Sequence, residues 1–268
     1  YKRQGFVDRF TRGARIYLAT PRLQGLLALS LAASAGGSMV IVNTVVHVRT
    51  QLGGSNHDVA LLFAAYGLGS MSVAILLSRI LGSVSTRATM IGGAVAMACL
   101  LLVGGTGPGW MSSIGLWLLM GAASSAIGTP SGIVLRRSSG AADRPAVFAA
   151  QFALSHACWL VTYPLAGWLG VTIGLDATFV ALSVVCLGGT VAATVLWPAD
   201  DAIEIEHQHA AFAHDAMHVH DEHHRHDHEG WEGPEPHRHP HRHAPIRHSH
   251  AFAIDDHHFV WPTATHRG

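Results

Sequence analysis

Six stretches of mostly apolar residues dominate this chain, and a helix of about 20 such residues is enough to cross the hydrocarbon core of a bilayer. They fall at roughly 23–48, 58–80, 88–106, 110–135, 146–171 and 176–197, and Arg79, at an end, is the nearest any charge comes to their interiors. With no water to bond exposed N–H and C=O groups, a spanning segment must satisfy its backbone internally, which selects the helix. The expected fold class is an all-α membrane protein of six transmembrane helices. Only 13% of the residues are charged, which excludes an ordinary water-soluble helical core. The runs "AASAGGS" (32–38), "GLGS" (67–70), "GGAVA" (92–96) and "GAASSAIG" (121–128) would let helix backbones approach closely. Thr129-Pro130-Ser131 is expected to kink the fourth span, with hydroxyl oxygens satisfying the freed backbone groups.

A net charge of zero conceals two different parts. Residues 1–198 hold twelve Lys/Arg and four Asp/Glu, a balance of +8; residues 199–268 hold five and thirteen, a balance of −8. Three regions are expected: a basic segment over 1–22, the bundle over 23–197 and a tail over 198–268. Eleven of the twelve basic residues flank alternate ends of the spans: Lys2, Arg3, Arg9, Arg12, Arg15 and Arg22, then Arg79 and Arg87, then Arg136, Arg137 and Arg144. Arg49 alone lies on the other side. That bias predicts that both ends of the chain are cytoplasmic. The chain starts at Tyr1 and shows no signal peptide, so the natural start is expected to lie upstream, in a longer protein.

The tail carries eighteen of the twenty-one histidines. Four prolines, Pro234, Pro236, Pro240 and Pro245, break any long helix, and the polar composition predicts a mostly disordered segment. His218, His220, His223, His224, His226, His228, His237, His239, His241, His243, His248 and His250 are the candidate metal ligands. A spacing of two puts residues on one face of an extended chain, whereas His220, His224 and His228 would align on a helix. Imidazole suits nickel, cobalt, zinc and cupric ions; with no cysteine and one methionine, Met217, the tail disfavours cuprous copper. The final stretch 247–262 regains apolar residues and is expected to dock on the bundle's cytoplasmic face or form a short strand.

Within the spans, polar groups are costly and therefore mark a pathway first. Gln151, Ser155, His156 and Tyr163 share the fifth span with Cys158, Trp159 and Thr162; Phe152, His156, Trp159 and Tyr163 fall along one stripe. From a start near Ala146, His156 lies roughly 15 Å deep, near the midplane. It could ligate a metal or relay a proton, or simply bond a neighbouring helix. Asn43 and His47, four apart on the first span, could line the extracytoplasmic mouth, although the expected place of His47 is headgroup water. Asp58 is read as a cap of the second span. Cys99, Cys158 and Cys186 are spaced neither as a metal site nor as a disulfide framework. No phosphate loop, nucleophile motif or catalytic triad is present, so no enzyme and no required cofactor is expected, and no nucleic-acid partner.

"RIYLATPRLQGLLALSLAASAGGSMVIVNTVVHVRTQLG" resembles the central loop and seventh helix of major facilitator superfamily transporters, and "AAYGLGSMSVAILLSRILGSVSTRATMIGGA" their eighth and ninth helices. In that family an Asp usually precedes the loop Arg; here Ser78 precedes Arg79. "FAAQFALSHACWLVTYPLAGWLG" (148–170) resembles the eleventh helix of a bacterial exporter branch that includes nickel-resistance proteins with His-rich C-termini. The resemblance covers about residues 12–197 and implies one of two six-helix halves packed around a central path. It implies a secondary transporter of the bacterial inner membrane, with the lipid bilayer and an N-terminal six-helix half as partners. The expected cargo is a divalent ion, nickel or cobalt with zinc as a further candidate. The alternatives are an exporter of an organic solute with a metal-buffering tail, and a membrane-anchored metal storage or sensing module.

Overall fold

The computed structural model describes the backbone of residues 6–199, with side chains from residue 11, four strands between 204 and 251, and the positions Ile254 and Trp261. Eight helices follow one another: α1 (Phe6–Ala19), α2 (Pro21–Val46), α3 (Asn56–Ile80), α4 (Thr86–Gly104), α5 (Trp110–Gly128), α6 (Ser131–Arg137), α7 (Arg144–Thr172) and α8 (Leu175–Leu196). A π-helical turn, His47–Gln51, extends α2. Six of these segments are long and apolar enough to span a membrane, with α5 and α6 forming one span over Trp110–Arg137. They coincide with the six expected stretches to within a few residues.

The ends form where the local chemistry stops or starts a helix. Pro21 and Pro145 occupy first-turn positions, where a missing N–H costs nothing. Asp58 assists the start of α3 from its third position, its carboxylate accepting from the Ser55 backbone N–H at 2.7 Å, while Ser55 is the cap residue. The expected kink is a full break: α5 stops at Gly128 and α6 begins at Ser131, whose hydroxyl donates to the freed Gly128 carbonyl at 2.7 Å.

Glycine sets the spacing between helices. A Cβ on Gly69 of α3 would fall on the Leu118 carbonyl of α5, and a Cβ on Gly121 of α5 would fall on the Tyr66 carbonyl of α3. The contact is reciprocal, backbone on backbone, as the small-residue runs predicted. Gly36 receives the Met97 side chain of α4 and Gly37 the Trp159 ring of α7. The centre of the bundle is α2: 61% of its apolar stretch is buried, against 22% for α3 and 17% for α7.

Charged residues tie the helix ends together. Arg12 of α1 holds Asp143, just before α7, through a two-pronged pair at 2.6 and 3.2 Å. Arg87 of α4 donates to the carbonyls of Trp197 and Thr194 at the end of α8, at 2.9 and 3.1 Å, where a cation also complements the helix dipole. The Arg22 guanidinium lies 4.8 Å from the Trp261 ring centre, and Ile254 is buried.

A second compact unit spans Ala202–Phe252 and Pro262–Gly268. Within the tail, expected to be mostly disordered, four strands are described. Strand β1 (Glu204–His209) pairs antiparallel with β4 (Ile246–Ala251), and β2 (Phe212–His218) with β3 (His237–His243). Polar composition argued for disorder, but alternation of histidine with other residues is also the two-residue period of a strand. Pro240, counted as a breaker of helices, sits within β3.

The Gly69–Gly121 crossing yields a prediction. Gly69→Val should force α3 and α5 apart and destabilise the bundle by about 1–3 kcal/mol. Gly67→Val, at an open position of the same helix, should be nearly silent. Thermal unfolding of the purified protein in detergent separates the two.

Candidate functional site: polar groups inside the bundle

The expected stripe on α7 is present. Phe152 and His156 have ring centres 4.0 Å apart, and Trp159 and Tyr163 4.9 Å apart. His156 is exposed on this helix, as are Phe152 and Tyr163, while Ser155 is partly exposed. His156 Nδ1 lies 2.7 Å from the Phe152 carbonyl. A carbonyl can only accept, so Nδ1 carries the hydrogen, and the nitrogen left to act as a ligand is Nε2. The bond goes to its own helix rather than to a neighbour. Ser155 likewise donates to the Phe152 carbonyl, at 3.0 Å. Twelve residues separate His156 from Arg144, roughly 18 Å along the helix axis, close to the middle of α7.

A different face of α7 lines an apolar groove. Leu154, Ala157, Cys158 and Val161 join Leu27, Ala28 and Leu31 of α2 and Leu196 of α8 around a groove of about 590 Å³ whose walls are almost entirely apolar. Cys158, grouped with the polar residues in the sequence, therefore belongs to this face.

Gln151 faces inward to α1 and α2. Its carbonyl oxygen accepts from the Tyr17 hydroxyl and its amide donates to Ser30 Oγ at 3.2 Å. Burial pushes the Tyr17 phenol above its ordinary range, so it remains a hydroxyl donor. This three-helix node lay outside sequence reasoning, because Tyr17 sits in a segment read only as basic.

Asn43 and His47 depart from the expected mouth, and also from headgroup water: both are buried. Asn43 donates to the Ala166 carbonyl of α7 at 3.1 Å. His47 stacks on Trp117 with centres 5.1 Å apart and planes 15° from parallel, and meets the edge of Phe179 at 6.2 Å. Its Nδ1 is 2.5 Å from Gln51 Oε1 and its Nε2 3.0 Å from Ser113 Oγ. Gln51 donates onward to the Asp176 carboxylate at 2.7 Å. Because that carboxylate only accepts, it fixes the amide, whose Oε1 must take the His47 Nδ1 hydrogen. Trp117 donates to Thr44 Oγ1 at 2.9 Å, which in turn donates to the Val40 carbonyl. The π-helical turn turns His47 and Gln51 into this network. A one-residue helix irregularity leaves no signature in composition, so the sequence placed His47 at the surface.

Among the described residues, no three His, Cys, Asp or Glu come together as metal ligands. Of the tail candidates, His218, His237, His239, His241, His243, His248 and His250 occupy strand positions. His220, His223, His224, His226 and His228 lie outside the described residues.

A bundle of six long, apolar helices defines a multi-pass membrane protein. The family model for the Major Facilitator Superfamily matches residues 26–249, and the chain belongs to that superfamily of secondary transporters. A comparison with curated proteins finds no match.

The buried network predicts a stability effect. His47→Ala removes a stacked ring together with its bonds to Gln51 Oε1 and Ser113 Oγ, and should cost about 2 kcal/mol or more. Tyr163→Phe, on the open stripe, should change stability little. Thermal or denaturant unfolding in detergent measures both.

Proposed function

We propose that this chain forms one six-helix half of an exporter of divalent transition-metal ions, nickel or cobalt foremost, in a bacterial inner membrane. Both ends of the chain then lie in the cytoplasm, in accord with the eleven basic residues that flank one side of the spans. The half rocks against a second six-helix half, in the alternating-access manner of its superfamily. The path follows the open stripe of α7. There Gln151 positions the helix, Ser155 and Tyr163 offer oxygens, and His156 offers the ligand nitrogen. Asn43 and His47 hold α2 to its neighbours beside that path.

The observation that carries this reading is the state of His156. Its Nδ1 bond to the Phe152 carbonyl leaves Nε2 as a lone-pair donor at membrane depth, and imidazole is the side chain preferred by borderline divalent metals. The tail, with its eighteen histidines, then collects the cytoplasmic ions as substrate. A second reading, export of an organic solute with a metal-buffering tail, draws on the aromatic pairs Phe152–His156 and Trp159–Tyr163. Such pairs suit flat or cationic organic groups.

Expression of the full-length gene in a metal-sensitive bacterium separates the readings. Tolerance to nickel or cobalt should rise with the wild type and persist, at a reduced level, after truncation beyond Trp197. It should be lost in His156→Ala while the protein remains in the membrane. A wild type that confers no tolerance to nickel, cobalt or zinc defeats the metal-exporter reading.

A further inference from the structure

The apolar groove between α2, α7 and α8 has a direction. On α2 its wall runs from Gln24 to Leu31, seven residues or about 10 Å of helix. Half of a hydrocarbon core is about 15 Å, so the groove lies within one leaflet. It opens at Leu18 of α1, Gln24 near the start of α2 and Leu196, the last residue of α8. That end of the bundle is the one flanked by eleven basic residues. Leu18, Val161 and Leu196 are exposed, and the small side chains of Ala28 and Ala157 leave room between α2 and α7.

The mouth of the groove is cationic. Arg15 precedes Leu18 by three residues on α1, on the same face of that helix, and it is exposed. Arg87 is anchored to the carbonyls of Thr194 and Trp197, on either side of Leu196, through Nη2 and Nε. Asp143, the one carboxylate among the described side chains at this end, is held by Arg12. It therefore does not offset Arg15. Gln24 is the polar residue of the wall. One hydrogen of its amide goes to the Leu18 carbonyl, and the second remains for an oxygen at the mouth.

We propose that this groove binds an anionic phospholipid from the leaflet on the basic side. An acyl chain lies between α2 and α7, and the phosphate meets Arg15 with Gln24 beside it. Apolar walls below a basic mouth complement a molecule with an apolar chain below an anionic headgroup. A protein helix crossing the whole bilayer would need a seat extending through both leaflets, whereas a lipid chain needs only one. The bound chain joins α7, the least buried of the six spans, to α2, the most buried. The site is separate from the open stripe of α7 and does not depend on which cargo is carried.

The test uses the full-length protein in a mild detergent, titrated with phosphatidylglycerol or with phosphatidylethanolamine, and bound lipid is counted by native mass spectrometry. The wild type should hold one phosphatidylglycerol about fivefold more tightly than phosphatidylethanolamine, the factor expected of one arginine near an anionic headgroup. Arg15→Gln should remove that preference and Arg15→Lys should keep it. Arg49→Gln, at the opposite end, should leave it intact. Ala157→Phe, which fills the groove from an exposed position, should weaken both lipids about tenfold. Equal binding of the two lipids by the wild type, or an equal effect of Arg15→Gln and Arg49→Gln, overturns the proposal. So does unchanged lipid binding in Ala157→Phe. A wild type that binds neither lipid overturns it as well and leaves the groove to a protein helix.

Discussion

Inside a hydrocarbon layer there is no water for apolar side chains to escape, so helices are held together by how closely their surfaces fit. The Gly69–Gly121 crossing is the tightest expression of that constraint. At each glycine the space a Cβ would fill is taken by a backbone carbonyl of the other helix, so α3 and α5 meet with almost nothing between them. The same economy recurs around α2, where Gly36 and Gly37 accept Met97 and Trp159 and Gly189 of α8 meets the Ala28 carbonyl. Helices packed this closely bury α2 on most of its surface. Its polar residues must therefore find partners without water. Ser34, Ser38 and Thr44 do so by bonding carbonyls three or four residues back on their own helix.

This burial divides the polar residues of the bundle into two physical kinds. The His47 group shows the first: each ring nitrogen, the Gln51 amide and the Trp117 N–H has an assigned partner, and the rings of Trp117 and Phe179 enclose the imidazole. Satisfied networks of this type specify geometry and resist rearrangement. His156 shows the second. Its single bond is to its own backbone, and it stands on the helix with the least buried surface among the six spans. A residue held this loosely can exchange partners, which transport requires and packing does not. His47 stands at the end of α2 and His156 near the middle of α7, and the one ring is enclosed while the other lies open.

Much of this was legible in the residues. Span length and the absence of interior charge located all six membrane helices, and the glycine and alanine runs located the close contacts, because both effects are local in sequence. The α7 stripe followed from 100° per residue. The burial of His47 did not follow, since it depends on the π-helical turn at His47–Gln51 and on Ser113 and Asp176, sixty-six and more residues away. Nor did the tie between Tyr17 and Gln151, which joins residues 134 apart. The strand pairing within the tail was not foreseen for a different reason. Composition averages over a segment and pointed to disorder, while the alternation in "HRHPHRH" (237–243), which composition ignores, carries the strand.

The contrast between tail and stripe bears on selectivity. Affinity of nitrogen ligands for first-row divalent ions rises toward copper whatever the number of imidazoles, so a histidine-dense tail concentrates such ions without choosing among them. A pathway must do the reverse, binding firmly enough to admit an ion and weakly enough to release it. In the proposed exporter His156, one imidazole with Ser155 and Tyr163 as its oxygen-bearing companions on α7, offers a shallow well of that type. In the proposed exporter the discrimination between ions therefore belongs to the membrane step. There the geometry of a few ligands, completed by the second half, decides which ion can shed its hydration and pass. The tail's contribution is local concentration, and its density of ligands matters for that reason rather than for recognition.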